Sequence, residues 1–210
     1  MLGELFNNPF AFLIWLVSLV VAITIHEFSH ALAADRLGDP TPRVQGRLPL
    51  NPLAHLDPMG TIMMIIARFG WGKPVQFDPF NLRHPRRDAA IISLAGPASN
   101  ILLAIVCSLI IRLFPYSLIL LLQPIIVMNV VLAIFNLVPI HPLDGFKIVG
   151  GILPKEYARQ WYELEPYGMI FLLFLIFPVF GSSPISNFIS PIINLLLTLL
   201  LPATGRAGII

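Results

Sequence analysis

Long apolar runs alternate with polar segments along the chain, and three of these runs are long enough to cross a membrane as helices. The first run carries no charge between residues 5 and 25, and Gly38 marks the expected end of its helix. Because no basic residue precedes it, we interpret it as a retained span and not as a cleaved signal peptide. The pattern predicts an all-α integral membrane protein with about five transmembrane helices. Core spans are expected at about 9–37, 89–111 and 117–140, and shorter peripheral spans at about 167–180 and 185–201.

The polar segment between the first two spans, residues 35–88, is rich in proline and glycine. Within it, residues 59–67 are apolar but have only about half the length that a crossing helix needs. We therefore expect a re-entrant or interfacial element there, followed by short strand or loop over residues 71–77.

Composition agrees with a membrane protein. Of the 210 residues, 57% are hydrophobic and only 11% are charged, whereas soluble domains carry about 25% charged residues. We expect a single polytopic domain over residues 1–210. The formal charge of +2 gives no indication of nucleic-acid binding, and a lone Cys107 excludes a disulfide framework or a CxxC zinc site.

The basic residues predict the orientation in the cell membrane. Of thirteen Lys and Arg residues, seven lie between the first two spans, three between the third and fourth, and Arg206 follows the fifth. Alternating spans place these eleven on one side, which the positive-inside rule makes cytoplasmic. The N-terminus is then outside, and only Arg112 falls clearly on the outer side, while Arg68 is ambiguous.

The ionisable residues near the end of the first span form a metal-binding pattern. His26 and His30 stand one helical turn apart in the order H-E-x-x-H, so both imidazoles can reach one ion. Glu27 lies beside that face, where a carboxylate can accept a proton from a metal-activated water. Three ionisable groups in an apolar span indicate function. The alternative is a pair of buried histidines held by Glu27, or residues at the level of the lipid headgroups.

A catalytic zinc site needs a third protein ligand. Asp144 is the best candidate, because it follows the third span on the same side as the histidines and lies in a proline-rich, glycine-containing turn that can aim its carboxylate inward. The alternative is an aspartate that caps a helix or stabilises a turn. The remaining candidates are His55, Asp57, His84 and His141.

Asn100 closes a patch of small residues, 95–100, in the second span. Its amide needs a partner in an apolar environment. It could hold the developing oxyanion or the substrate backbone, or it could form a hydrogen bond between helices. Asn129 and Asn136 in the third span allow the same two interpretations, with the structural one favoured for Asn129.

With these motifs the sequence resembles the site-2 protease family of intramembrane zinc metalloproteases. The likeness covers nearly the whole chain and rests on HEFSH at 26–30, GPASN at 96–100, and NLVP at 136–139 leading to PLDG at 142–145. Loop residues 46–61, 72–75, 81–88 and 164–168 resemble the compact prokaryotic branch, without a PDZ or CBS domain. The resemblance implies that His26, His30 and Asp144 bind one zinc ion per chain, that Glu27 is catalytic, and that Asn100 assists catalysis or substrate binding.

The expected reaction is hydrolysis of peptide bonds in or near transmembrane segments, with a transmembrane protein or peptide as substrate. The alternatives are a metal-ion transporter and a catalytically inactive membrane scaffold. A transporter would need ionisable groups through both halves of the bilayer, whereas here they cluster at one side. The sequence leaves the substrate's identity and the oligomeric state open.

Overall fold

The computed structural model describes residues 8–67, 70–114, 118–177 and 183–202, and these ranges contain helices and no strand. The predictions for Arg68, residue 117, residues 178–180 and Arg206 lie outside them. In chain order the helices are α1 (Pro9–Arg36), α2 (Thr41–Val44), α3 (Pro52–His55), α4 (Pro58–Ala67), α5 (Pro85–Leu113), α6 (Ile119–Asn136), α7 (Asp144–Ile152), α8 (Lys155–Tyr162), α9 (Glu165–Ile176) and α10 (Pro184–Leu200).

Three helices, α1, α5 and α6, are long and apolar enough to cross a membrane. They correspond to the three predicted core spans, so the all-α membrane class is confirmed. The third span ends at Asn136, four residues earlier than predicted. Pro139 and Pro142 cannot donate backbone hydrogen bonds, and residues 137–143 accordingly form turns that lead to Asp144.

Local sequence explains both ends of α1. Asn8 caps its start by accepting a hydrogen bond from the N–H of Ala11, and Pro9 occupies the first turn, where a missing N–H costs nothing. The helix ends at Arg36, and two residues later Gly38 has a φ of +107°, which is readily available only to glycine. The predicted stop is therefore found where the sequence indicated it.

Small residues let the three long helices pack closely. Ala22, Ala31 and Ala34 of α1 are fully buried, as are Ala104 of α5 and Ala133 of α6. Without large side chains at these positions, the backbones can approach one another, as is common where helices associate in membranes. Large apolar side chains instead cover the outside of the helices, where a bilayer would solvate them.

Two short helices, α7 and α8, lie between the predicted third and fourth spans, where the sequence pattern predicts no helix. They fold back on each other. The rings of Phe146 and Trp161 stack with their centroids 5.1 Å apart, and the Trp161 indole N–H donates to the Phe146 carbonyl. Both are too short and too rich in glycine or charge to give a helical signal by composition. The consequence for the site is that Asp144 is the first residue of a helix.

The last two apolar helices, α9 and α10, overlap the two predicted peripheral spans, 167–180 and 185–201. Both begin at the end of the bundle that carries Asp144: Gly168 of α9 abuts His141, and Ile185 of α10 packs in one cluster with Leu143. At twelve residues, α9 is about 18 Å long and too short to cross alone. Because the guanidinium of Arg112 donates to the Leu199 carbonyl at 2.8 Å, α10 ends at the opposite end of the bundle.

The connection between α1 and α5 is irregular and is organised around Asp39. This carboxylate is fully buried and accepts hydrogen bonds from both the N–H and the hydroxyl of Thr41, from the N–H of Asp78 and from the Asn81 amide. Residues 70–78 form a loop, one of the two predicted outcomes for residues 71–77, and one antiparallel bridge joins Gly72 to Leu56. Helices α3 and α4 flank Leu56 and leave no extended chain for longer pairing.

Candidate metal centre

Helix α1 turns two histidines toward α5 and α7. His26 is 4% and His30 is 8% exposed, and their rings meet edge to face with centroids 4.6 Å apart. The spacing of four residues places both on one side of the helix. Two neutral imidazoles in such a setting each offer one nitrogen to an ion.

Asp144 completes a cluster of three potential metal ligands. Its Oδ2 lies 3.1 Å from His26 Nε2 and 3.3 Å from His30 Nε2, and one ligand atom of each residue lies within 4.8 Å of the others. A tetrahedral zinc site with its usual bond lengths separates ligand atoms by about 3.3 Å. Donor types and separations therefore fit zinc.

Each histidine uses its second ring nitrogen for a buried hydrogen bond. His26 Nδ1 lies 2.6 Å from Oδ1 of Asn100, and His30 Nδ1 lies 2.7 Å from the carbonyl of Ile92. An imidazole that donates Nδ1–H to an oxygen keeps its Nε2 lone pair for a metal. Both free nitrogens point to the same carboxylate oxygen, so α5 orients the two imidazoles as a pair.

Gly96 of α5 gives the two imidazoles their room. A Cβ atom at this position would lie 2.5 Å from His30 Nε2 and 2.7 Å from His26 Cε1. Real Cβ atoms do not approach other heavy atoms this closely, so any larger residue would displace a ring. The small-residue patch of the second span therefore serves the candidate ligands directly.

Glu27 stands next to the three candidate ligands but outside their cluster. Its side chain is half-buried, and Oε2 accepts a hydrogen bond of 3.0 Å from the N–H of Val75. Gly72 makes this approach possible, because a Cβ there would lie 3.5 Å from Glu27 Cγ and 2.7 Å from Ile23 Cγ2. The loop segment 70–78 thus holds the carboxylate beside the histidines.

The remaining candidates from the sequence lie elsewhere in the described chain. The buried ring of His55 lies 3.0 Å from the Pro49 carbonyl, and Asp57 accepts the N–H of Gly60 at the start of α4. His84 precedes α5, and His141 lies 3.6 Å from Glu165. None of the four belongs to the three-ligand cluster.

The hydrogen-bond partner of Glu27 could not be predicted from the side chains in the sequence. The partner of Glu27 is a backbone N–H, and any residue but proline would supply it, so the identity of Val75 carries no signal. Asn136, by contrast, donates to the Leu132 carbonyl one turn earlier in its own helix.

Comparison with known proteins finds relatives among the zinc metalloproteases. YwhC of Bacillus subtilis, assigned to that class, is 37% identical over 177 residues, covering 79% of this chain and 81% of that protein. Rip2 of Mycolicibacterium smegmatis, also assigned to it, is 34% identical over 175 residues, covering 77% of this chain and 64% of that protein. Zinc metalloprotease MJ0392 of Methanocaldococcus jannaschii is 24% identical over 157 residues, covering 74% of this chain and 39% of that protein. No family model and no solved structure matches the chain.

These relatives agree with the cluster of two histidines and one aspartate between apolar helices. An identity above 30% over most of both chains goes well beyond a shared motif. A zinc protease is an enzyme that needs this type of donor set. The chain is a zinc metallopeptidase with membrane-spanning helices, and it belongs to the site-2 protease family.

Proposed function

We propose that this protein is a zinc-dependent endopeptidase that hydrolyses peptide bonds in or near transmembrane segments of membrane proteins. The observation that carries the proposal is the convergence of His26, His30 and Asp144 within helices that are apolar on their outside. Buried ionisable groups in a membrane span are costly and are kept for function. We assign these three residues as the ligands of one zinc ion per chain.

Zinc, when bound, supplies a Lewis acid that polarises the scissile carbonyl and lowers the pKa of water toward neutrality. Glu27 has the position of the general base and acid: it accepts the proton of the attacking water and delivers it to the leaving amine. Its hydrogen bond from Val75 keeps the carboxylate turned toward residues 70–78 instead of into the ligand cluster.

Asn100 assists catalysis through His26. Both N–H groups of its amide are already donated, one to the Ala22 carbonyl and one to a second side chain, and its oxygen faces His26 Nδ1. No donor of this amide is then available for an oxyanion. We therefore assign Asn100 to the orientation of a ligand.

The substrate must present an extended peptide, because a helical segment shields its own peptide bonds. Segment 70–78 is a loop in which Gly72 already forms an antiparallel bridge with Leu56, and its Val75 N–H meets the carboxylate of Glu27. We propose that an unwound stretch of the substrate pairs with this segment by strand addition.

Orientation follows from charge and from helix direction. The ten Lys and Arg residues in the two loops at the site's end favour a cytoplasmic site and an outer N-terminus. Since α10 ends beside Arg112, we propose that the chain leaves it on the outer side. Single cysteines at Asn8, Arg83 and Pro202 in a Cys107→Ser background can be labelled on whole cells with an impermeant thiol reagent. We expect labelling at 8 and 202; labelling at 83 would reverse the orientation.

Cleavage by the purified protein in lipid nanodiscs tests the activity. A single-span substrate should be cut by the wild type and by the matched variant Glu163→Gln, whose carboxylate is exposed at the end of α8. Glu27→Gln should lower the rate by about 10²–10⁴-fold while zinc per chain stays the same. Loss of zinc in Glu27→Gln would place Glu27 among the ligands. Zinc flux into proteoliposomes without any cleavage would favour a transporter.

A further inference from the structure

A continuous line of buried amides joins the candidate ligand His26 to the third long helix. Asn100 Oδ1 lies 2.6 Å from His26 Nδ1, and Asn100 Nδ2 donates to Asn129 Oδ1 at 2.7 Å. Asn129 Nδ2 in turn donates to the Ile125 carbonyl at 2.8 Å. Both asparagines are fully buried. The line crosses from α1 through α5 to α6.

Two backbone carbonyls fix the direction of this line. A carbonyl can only accept, so the nitrogen of each amide must face the carbonyl beside it. For Asn100 this is the carbonyl of Ala22, at 3.0 Å, and for Asn129 it is the carbonyl of Ile125. With both nitrogens assigned, the oxygen of Asn129 faces Asn100 and the oxygen of Asn100 faces His26.

The direction decides which nitrogen of His26 carries the proton. An amide oxygen can only accept, so His26 must donate from Nδ1, and Nε2, 3.1 Å from Asp144 Oδ2, is the nitrogen left to face a metal. His30 needs no such device, because its Nδ1 faces the Ile92 carbonyl directly, and a backbone carbonyl cannot rotate. An asparagine amide can flip, so it has to be held.

The flipped state shows what Asn129 prevents. Turning Asn100 over would bring its oxygen against the Ala22 carbonyl and its N–H against His26 Nδ1. The imidazole would then carry its proton on Nε2, which removes the lone pair that a metal needs. If Asn129 turned over with it, its own oxygen would meet the Ile125 carbonyl. Buried pairs of acceptors are costly.

We infer that Asn129 is a positioning residue for zinc: it locks the amide of Asn100, and through it sets the tautomer of His26. The inference rests on the proposed role of His26 as a ligand. It extends that role to a residue on a different helix, which touches neither the ligand cluster nor a substrate path.

The tautomer can be read in the metal-free protein. In metal-free wild-type protein with ¹⁵N-labelled histidine, His26→Gln identifies the His26 signals by difference. We expect Nδ1 to carry a proton, because the oxygen of Asn100 can only accept. Unprotonated Nδ1 in the wild type would overturn the inference, whatever the variants do.

Substitution then isolates Asn129. Asn129→Leu removes the amide at similar volume, and we expect zinc to bind about 10–100-fold more weakly with both His26 tautomers populated. Asn129→Asp should restore binding to within about threefold, because a buried carboxyl group that keeps its proton can donate to the Ile125 carbonyl and accept from Asn100. Asn194→Leu on the exposed face of α10 is the matched control.

Unchanged zinc affinity and tautomer in folded Asn129→Leu would contradict the inference. If that variant does not fold, the wild-type tautomer and the Asn129→Asp affinity decide, and a tenfold loss in the aspartate variant would count against it. Failure of the proposed function would look different. If His26→Ala still binds zinc, His26 is not a ligand, whereas the protonation of His26 Nδ1 in the metal-free wild-type protein is unaffected.

Discussion

The two histidines proposed as zinc ligands and the carboxylate proposed as the catalytic base are neighbours on α1 but are supported in different ways. His26 and His30 are buried between packed helices, and each is oriented by a group of α5. The Glu27 carboxylate is half-buried and is held by one backbone N–H of the irregular segment 70–78. Helix packing thus orients the proposed ligands, whereas the proposed proton carrier lies where the loop meets the helix. Substitutions in the first region should therefore weaken zinc binding, whereas substitutions in the second should lower the catalytic rate.

The largest expected effect is loss of the third ligand. Asp144→Ala should weaken zinc binding by at least about 100-fold and abolish proteolysis, because two imidazoles alone do not make a catalytic site. Metal analysis after dialysis measures this. His55→Ala and His84→Ala, which remove histidines outside the cluster, should each keep about one zinc per chain. If His141→Ala strips the metal and Asp144→Ala does not, the assignment of the third ligand is wrong.

Next in size is the loss of space at Gly96. Gly96→Ala should weaken zinc binding about 10-fold or more and destabilise the fold by about 1–3 kcal/mol, because its Cβ would collide with both imidazoles. Zinc titration and thermal unfolding in detergent give the two numbers. Ala98→Leu, an enlargement at an exposed position of the same helix, is the control. Equal zinc affinity in Gly96→Ala and wild type would contradict the close packing.

How far the sequence could predict this arrangement differs between the same two regions. The H-E-x-x-H spacing places both histidines on one face of α1, so this part of the candidate metal cluster follows from a local rule. Helices α7 and α8 are too short for such rules, and their existence depends on contacts such as Phe146 with Trp161. The direction of α10 depends on tertiary packing, and the partner of Glu27 is a backbone group without a sequence signal.

A smaller effect is expected where the loop is organised around Asp39. Burial raises the pKa of this carboxyl, but its hydrogen bonds from Thr41, Asn81 and Asp78 outweigh that and hold the pKa below its ordinary value. Asp39→Asn should cost about 1–3 kcal/mol of stability at neutral pH and leave zinc affinity unchanged.

The lowered pKa of Asp39 predicts how this difference in stability changes with pH. A carboxyl with a lowered pKa stabilises the fold above its ordinary pKa, and this contribution is lost as the pH falls through the lowered value. The difference in Tm between the wild type and Asp39→Asn should therefore be constant from about pH 8 to 5 and shrink below about pH 4. A difference that grows on acidification would contradict the role of the ionised carboxylate.

The smallest effect concerns the single hydrogen bond to Glu27. Val75→Pro removes the N–H, and loss of a hydrogen bond worth about 1 kcal/mol should lower kcat by roughly fivefold without changing zinc content. Val75→Ala keeps the N–H and serves as the control. Loss of zinc in the proline variant would show that loop and metal cluster are not separately supported.

The identity of the zinc ligands is the most direct test of the central claim, and X-ray absorption at the zinc edge of the loaded wild-type protein measures it. We predict two histidine nitrogens at about 2.0–2.1 Å, oxygen ligands at about 2.0–2.2 Å and no sulfur, with the outer-shell imidazole scattering halved in a metal-loaded His30→Ala protein. A sulfur ligand, or imidazole scattering that stays unchanged when His30 is removed, would contradict the assignment of His26, His30 and Asp144.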